Sequence, residues 1–236
     1  MSLIYTTLLQ SKVFFFLVLL SILFYVAPSS AFAQDPTYSE NTPGQGGNPF
    51  PSSLPETFSA PTFGDLDGDG DFDMLSGEEQ GGILYFQNTG TVDTPAFTQV
   101  TDNASINALA LNDYTAPGRV DFDGDGDLDL FVGDQEGGFA YFENTGSAMA
   151  PTFTSATLPT GIADIGNRSH PVFADVDGDG DMDMVSGEFN GQVFYFQNNG
   201  DGTFTQLTAG SNPFSIISLG AGQLSKPGLG DIDNDG

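Results

Sequence analysis

The chain has 236 residues with 32 Asp plus Glu against 4 Lys plus Arg, a formal net charge of −28 although only 15% of residues are charged. So little base repels phosphate backbones and anionic lipid, which excludes nucleic-acid binding and polybasic membrane attachment, while zero Cys and one His exclude disulfides, cysteine nucleophiles and a Cys/His zinc site. Hydrophobic residues at 39%, among them 22 Phe, exclude a disordered chain, and 31 Gly point to many tight turns.

Residues 1–33 hold no acid and one base, Lys12, ahead of apolar runs Val13 to Leu20 and Ile22 to Ala27. Ala31-Phe32-Ala33 then supplies the small residues that a signal peptidase reads, so a secretory signal cleaved after Ala33 is expected. The apolar core, about 15 residues, falls short of the roughly 20 that span a bilayer. The mature chain therefore has no transmembrane span, a charge of −29 once Lys12 is gone, and an extracellular or cell-surface location. Residues 34–57 are rich in Pro, Ser, Gly and Asn without strand period, and read as a lead-in or linker.

Residues 58–236 are a repeat. DLDGDGDFD (Asp65 to Asp73), DFDGDGDLD (Asp121 to Asp129), DVDGDGDMD (Asp175 to Asp183) and DIDNDG (Asp231 to Gly236) begin 56, 54 and 56 residues apart, a period that marks a repeat architecture. Each has a proline four residues ahead (Pro61, Pro117, Pro171, Pro227), and the three complete copies have a glycine twelve residues after the first Asp (Gly77, Gly133, Gly187). An aromatic segment follows, from Tyr85, Tyr141 and Tyr195, running into Asn and Gly, and each unit closes on Phe-Thr (Phe97, Phe153, Phe204). Short apolar and aromatic runs bounded by Gly and Asn, with no sustained helical period, predict strands. About 55 residues hold four short antiparallel strands, one β-propeller blade, so the fold class is all-β with three complete blades and the start of a fourth.

The loop chemistry is that of a hard-cation site. Aspartates at positions 1, 3 and 5 converge because Gly at position 6 permits a sharp reversal, position 7 offers its carbonyl, and Asp at position 9 closes the shell; oxygen donors in this number suit Ca²⁺ better than Mg²⁺. The expected side-chain ligands are Asp65, Asp67, Asp69 and Asp73, then Asp121, Asp123, Asp125 and Asp129, then Asp175, Asp177, Asp179 and Asp183, with Asp231, Asp233 and Asp235 in the broken fourth loop. Asp71, Asp127 and Asp181 occupy position 7, where the carbonyl is expected to bind and the carboxylate to face water. An EF-hand would need Glu at position 12 and flanking helices; here position 12 is Ser76, Val132 and Ser186. A dockerin-type pair would set its two loops closer together and among helices.

With loop, proline, aromatic segment and period together, the chain resembles the FG-GAP or VCBS repeat family, best known from the seven-bladed propeller of integrin alpha subunits. The resemblance implies a larger propeller of which residues 58–236 are a portion, about one Ca²⁺ per complete repeat, and adhesion or recognition of an extracellular protein or glycan. The alternative is the propeller portion of an extracellular polysaccharide lyase or hydrolase whose catalytic residues lie elsewhere.

No catalytic residue is expected within the chain. His170 precedes Pro171 where the other copies have Ala60, Ala116 and Lys226, and reads as a tolerated surface residue; Glu78, Asp134 and Glu188 recur in each unit and read as turn or edge acids, whereas catalysis needs one convergent site. Arg119, Arg168, Tyr114 and His170 break the repeat and are the better functional candidates, the alternative for the two arginines being to offset nearby carboxylates. Asn103 and Asn167 head glycosylation sequons.

Overall fold

A computed structural model describes residues 59–109, 111–220 and 222–230; the signal and lead-in segments and the fourth loop lie outside the described residues. The first unit comprises β1 (Ser59–Gly64), β2 (Asp73–Glu78), β3 (Ile83–Asn88) and β4 (Phe97–Val100). The second comprises β5 (Ala116–Val120), β6 (Asp129–Gly133), β7 (Phe139–Asn144) and β8 (Phe153–Ala156), and the third β9 (His170–Ala174), β10 (Asp183–Gly187), β11 (Val193–Asn198) and β12 (Phe204–Leu207). Each set pairs in chain order as one antiparallel four-stranded sheet. These are the propeller blades that the period predicts. Besides a 3-10 turn at Ala209–Ser211, a turn of α-helix, α1 (Ala104–Asn107), breaks the all-β pattern where the Asn103 side chain accepts from the Ser105 and Ile106 amides.

The second strand of each blade is buried on both faces: β6 and β10 throughout, and β2 up to Gly77. Alternate side chains of such a strand serve two interfaces. Leu130 and Val132 pack with Leu75 and Tyr85 of the first blade, whereas Phe131 packs with Val120 and Tyr141 and reaches Phe173 of the third. Met184 and Phe196 meet Phe122 and Phe139 across the same joint. The outer strand β4 is mostly exposed.

The recurring glycine has its reason at the joint between blades. A Cβ on Gly77 would lie 1.9 Å from the Thr115 carbonyl oxygen, one on Gly133 2.2 Å from that of Ser169, and one on Gly187 2.3 Å from that of Ser225. There the next blade threads a residue into the turn after the second strand. The Thr115 amide donates to the Glu78 carbonyl (3.1 Å), while its hydroxyl donates to the Gly82 carbonyl (2.6 Å) and accepts from the Glu78 amide (3.0 Å). Ser169 bonds Asp134 and Gly138 in the same way, and Ser225 bonds Glu188 and Gln192. This hydroxyl clasp ties consecutive blades, and the residue before it takes a left-handed backbone in Tyr114 and Arg168 (φ 55° in both).

Gly133→Ala is expected to lower stability by about 2–4 kcal/mol in urea unfolding, because the Ser169 backbone must retreat. Gly210→Ala, where a Cβ meets nothing within 4 Å, is expected to stay within about 0.5 kcal/mol.

Candidate metal loops and the cavity beside them

Each acidic loop joins the first two strands of a blade and bonds its aspartates to its own amides. In the first, Asp65 accepts from the Gly68 amide (2.7 Å) and the Gly70 amide (3.1 Å), Asp67 from Asp69 (3.3 Å), and Asp69 from Asp71 (3.0 Å). The same pattern holds Asp121, Asp123 and Asp125, and nearly the same holds Asp175 and Asp179. Position 6 needs glycine, since Gly70, Gly126 and Gly180 have φ of 94°, 95° and 99°.

Carboxylate oxygens of Asp65, Asp67 and Asp69 lie within 4.8 Å of one another, as do those of Asp121, Asp123 and Asp125, and those of Asp175, Asp177 and Asp183. Positions 1 and 3 therefore converge in all three loops, joined by position 5 in the first two and by position 9 in the third, where Asp179 is not part of the group. The position-9 carboxylates also have a second occupation. Asp73, Asp129 and Asp183 are 0, 1 and 0% exposed, and each accepts three bonds from the protein. Asp73 takes the Leu66 amide (3.2 Å), the Tyr85 hydroxyl (3.1 Å) and the Asn88 amide (2.7 Å). Asp129 takes Phe122, Tyr141 and Asn144, and Asp183 takes Val176, Tyr195 and Asn198. Burial pushes the Asp73 carboxyl up to about 6 against these donors. It pushes Asp129 up as well, and raises the Tyr85, Tyr141 and Tyr195 hydroxyls far above their ordinary value, so the tyrosines stay protonated as donors.

Two expectations fail here. The position-7 carboxylates of Asp71 and Asp127 do not face water: they are 6 and 7% exposed, and only Asp181 is half-open. The loop folds back over the start of the second strand, which carries them inward. One oxygen of each, Oδ1, is buried without a hydrogen-bond partner. Burial first, then the neighbouring acids Asp69 and Asp125 respectively, hold both groups above the usual carboxylate range. His170 is also not at the surface. It is 6% exposed at the start of β9, paired with Gly187 and donating its amide to Ser186.

Three converging carboxylates in each loop are a donor set that fits a hard divalent cation. The aromatic segment that the sequence marked but did not explain is the support of this set. Besides the tyrosine hydroxyls, Gln87 Nε2 donates to Asp67 (2.5 Å) and Gln197 to Asp177, while the second blade has Glu143 at that place. The constant spacing of 12 residues between the position-9 Asp and Tyr is the signal that would have found it.

Glu78, Asp134 and Glu188 are turn acids, as expected. Glu188 accepts from the Asn190 and Gln192 amides, and Asp134 from those of Glu136 and Gly138. Arg168 lies over the Tyr114 ring at 3.9 Å, and Tyr114 donates to Glu79 (2.7 Å). Arg119 stands apart from these. It lines a cavity of about 830 Å³ together with Asp121, Phe122, Phe173, Asp181 and Asn198, at the loop ends of the second and third blades.

Residues 121–186 and 175–236 match the FG-GAP-like repeat family. No curated protein matches the chain. A solved structure of an Agrocybe aegerita lectin, described as recognising non-reducing terminal N-acetylglucosamine, is similar at 22% identity and a TM-score of 0.46 over 72% of this chain. The match covers 43% of the lectin chain, so this chain spans less than half of that length.

Tyr85→Phe removes one of three donors to a buried carboxylate, and is expected to cost about 1–2 kcal/mol in urea unfolding. A pH dependence comes from His170, whose imidazole is held down to about 3 by burial, then by Lys226 and Arg168. It stays neutral in the fold while the unfolded chain takes up a proton below about 6.5, so stability is full above that pH and falls by about 2 kcal/mol on reaching pH 5. In His170→Gln, the loss of stability between pH 7 and 5 is expected to shrink by that amount.

Proposed function

The chain is built of repeats of the FG-GAP-like family, and on that premise we propose that it is an extracellular β-propeller recognition module whose blades are stabilised by Ca²⁺ in the loops at 65–73, 121–129 and 175–183. Convergence of the position-1 and position-3 carboxylates in all three loops carries this reading. Without a cation, each complete loop holds five aspartates within nine residues, a repulsion that an oxygen-seeking divalent ion would turn into attraction. Asp65, Asp67, Asp69, Asp121, Asp123, Asp125, Asp175 and Asp177 would hold the ion, with the position-7 carbonyls and position-9 carboxylates completing the set. Bound there, calcium supplies charge compensation and loop order.

Export is supported by the apolar run and the Ala31-Phe32-Ala33 site in the leader. A binding role rather than a catalytic one is supported by the side chains that could do chemistry. The recurrent acids are committed to turns, and the histidine is packed inside.

Thermal unfolding of the full chain is expected to rise by several degrees in millimolar Ca²⁺, much less in Mg²⁺, and to fall back with a chelator. Asp67→Ala is expected to remove one bound ion of three by calorimetric titration and leave the other two near their original affinity. A melting temperature indifferent to Ca²⁺ would sink the metal reading.

A further inference from the structure

Arg119 occupies a place that is apolar in the other copies. Two residues before the first loop aspartate stand Phe63, Phe173 and Leu229, but Arg119 in the second blade. The facing blade has changed to match. A Cβ on Gly64 would sit 2.2 Å from Arg119 Nε, so the guanidinium stem lies flat against the first blade, whereas at the next joint the equivalent of Gly64 is Val120 and the equivalent of Arg119 is Phe173, packed in one cluster. The interface is therefore shaped to admit this arginine.

In a chain with 32 acids, this base has no carboxylate partner among the described residues. Nε is buried without a hydrogen bond, sealed against Gly64 of the first blade. The terminal amino groups of this cavity-lining residue are left as a fork for a carboxylate. Around it, Phe122 and Phe173 contribute apolar walls. Asp121, Asp123 and Asp181 contribute acceptors from two different blades. One anion-seeking fork, several dispersed acceptors and an apolar wall are the complement of a ring that carries one carboxylate and several hydroxyls. The volume, about 830 Å³, is within the range of small-ligand sites and suits one or two sugar residues.

We propose that the cavity between the second and third blades binds an acidic sugar, a uronate residue of a glycan, with Arg119 holding its carboxylate and Asp181 accepting from its hydroxyls. This rests on the calcium reading above, because an ion on Asp121 and Asp123 is what makes that wall tolerant of an anion. An α-amino acid would need its ammonium group satisfied at one point, whereas these acceptors are spread over two blades.

The test is calorimetric titration of the calcium-loaded full chain with trigalacturonate, neutral galactotriose and free glutamate. Trigalacturonate is expected to bind at least tenfold tighter than the other two. Arg119→Gln is expected to weaken trigalacturonate at least tenfold without changing galactotriose, and Arg119→Lys to fall between. Asp181→Asn, at the open rim, keeps the proposal testable if the arginine variants unfold. It is expected to weaken trigalacturonate several-fold, whereas simple charge attraction would make it tighten. Equal binding of acidic and neutral sugar, tighter binding of glutamate, or a tightened Asp181→Asn would overturn the proposal. The same samples, melted with and without Ca²⁺, separate the two ideas: a calcium-raised melting temperature without uronate binding overturns the sugar site alone.

Discussion

The structure depends on a buried carboxylate repeated once per blade. Asp73, Asp129 and Asp183 are almost completely removed from water, and a carboxylate so placed is tolerable only when its lone pairs are met by donors. The three donors come from different segments: the loop's second residue, the tyrosine of the third strand and the asparagine at that strand's end. One side chain therefore fixes the start of the second strand, the reach of the loop and the end of the third strand. The asparagine in turn accepts from two amides of the following loop, as Asn88 does from Gly90 and Ala96, which extends the order toward the outer strand.

The blades were legible because this network forces the same residues to the same offsets. The loop and the aromatic segment could each be read from the sequence, since each is dictated within one unit. What escaped reading depends on contacts between units. The glycine was visible as a recurrent mark, yet its cause is the Thr115, Ser169 or Ser225 of the following blade. His170 was misplaced for a related reason. Its equivalents Ala60 and Ala116 are buried small residues, but Lys226, exposed at the same offset, made the position look like surface. The position-7 aspartates were sent to solvent on the logic of an isolated loop, whereas here the strand beneath the loop draws two of them inward.

The acid excess is also resolved by place. Much of it lies in the loops at one end of the blades, and the recurrent acids after the second strands close turns at the other end with their own amides. Little of the charge is balanced by base, and Arg119 and Arg168 are placed against a glycine and aromatic rings rather than against carboxylates. The protein meets its electrostatic demands with backbone amides and tyrosine hydroxyls, and that leaves the few guanidinium groups free of the structural role that arginine usually has in acidic proteins.

The hydroxyl clasp has a consequence for how the chain acquires its form as it is made. Besides its local bond to the Gly82 carbonyl, the Glu78 amide donates to Thr115, and the Glu188 amide, besides Gln192, to Ser225, in both cases 37 residues downstream. A blade leaving the ribosome has all four of its strands before it has the group that seals its turn, and the seal arrives only with the first residues of its successor. Construction is thus ratcheted: every blade is provisional until the next begins, and each new blade begins by locking the one behind it.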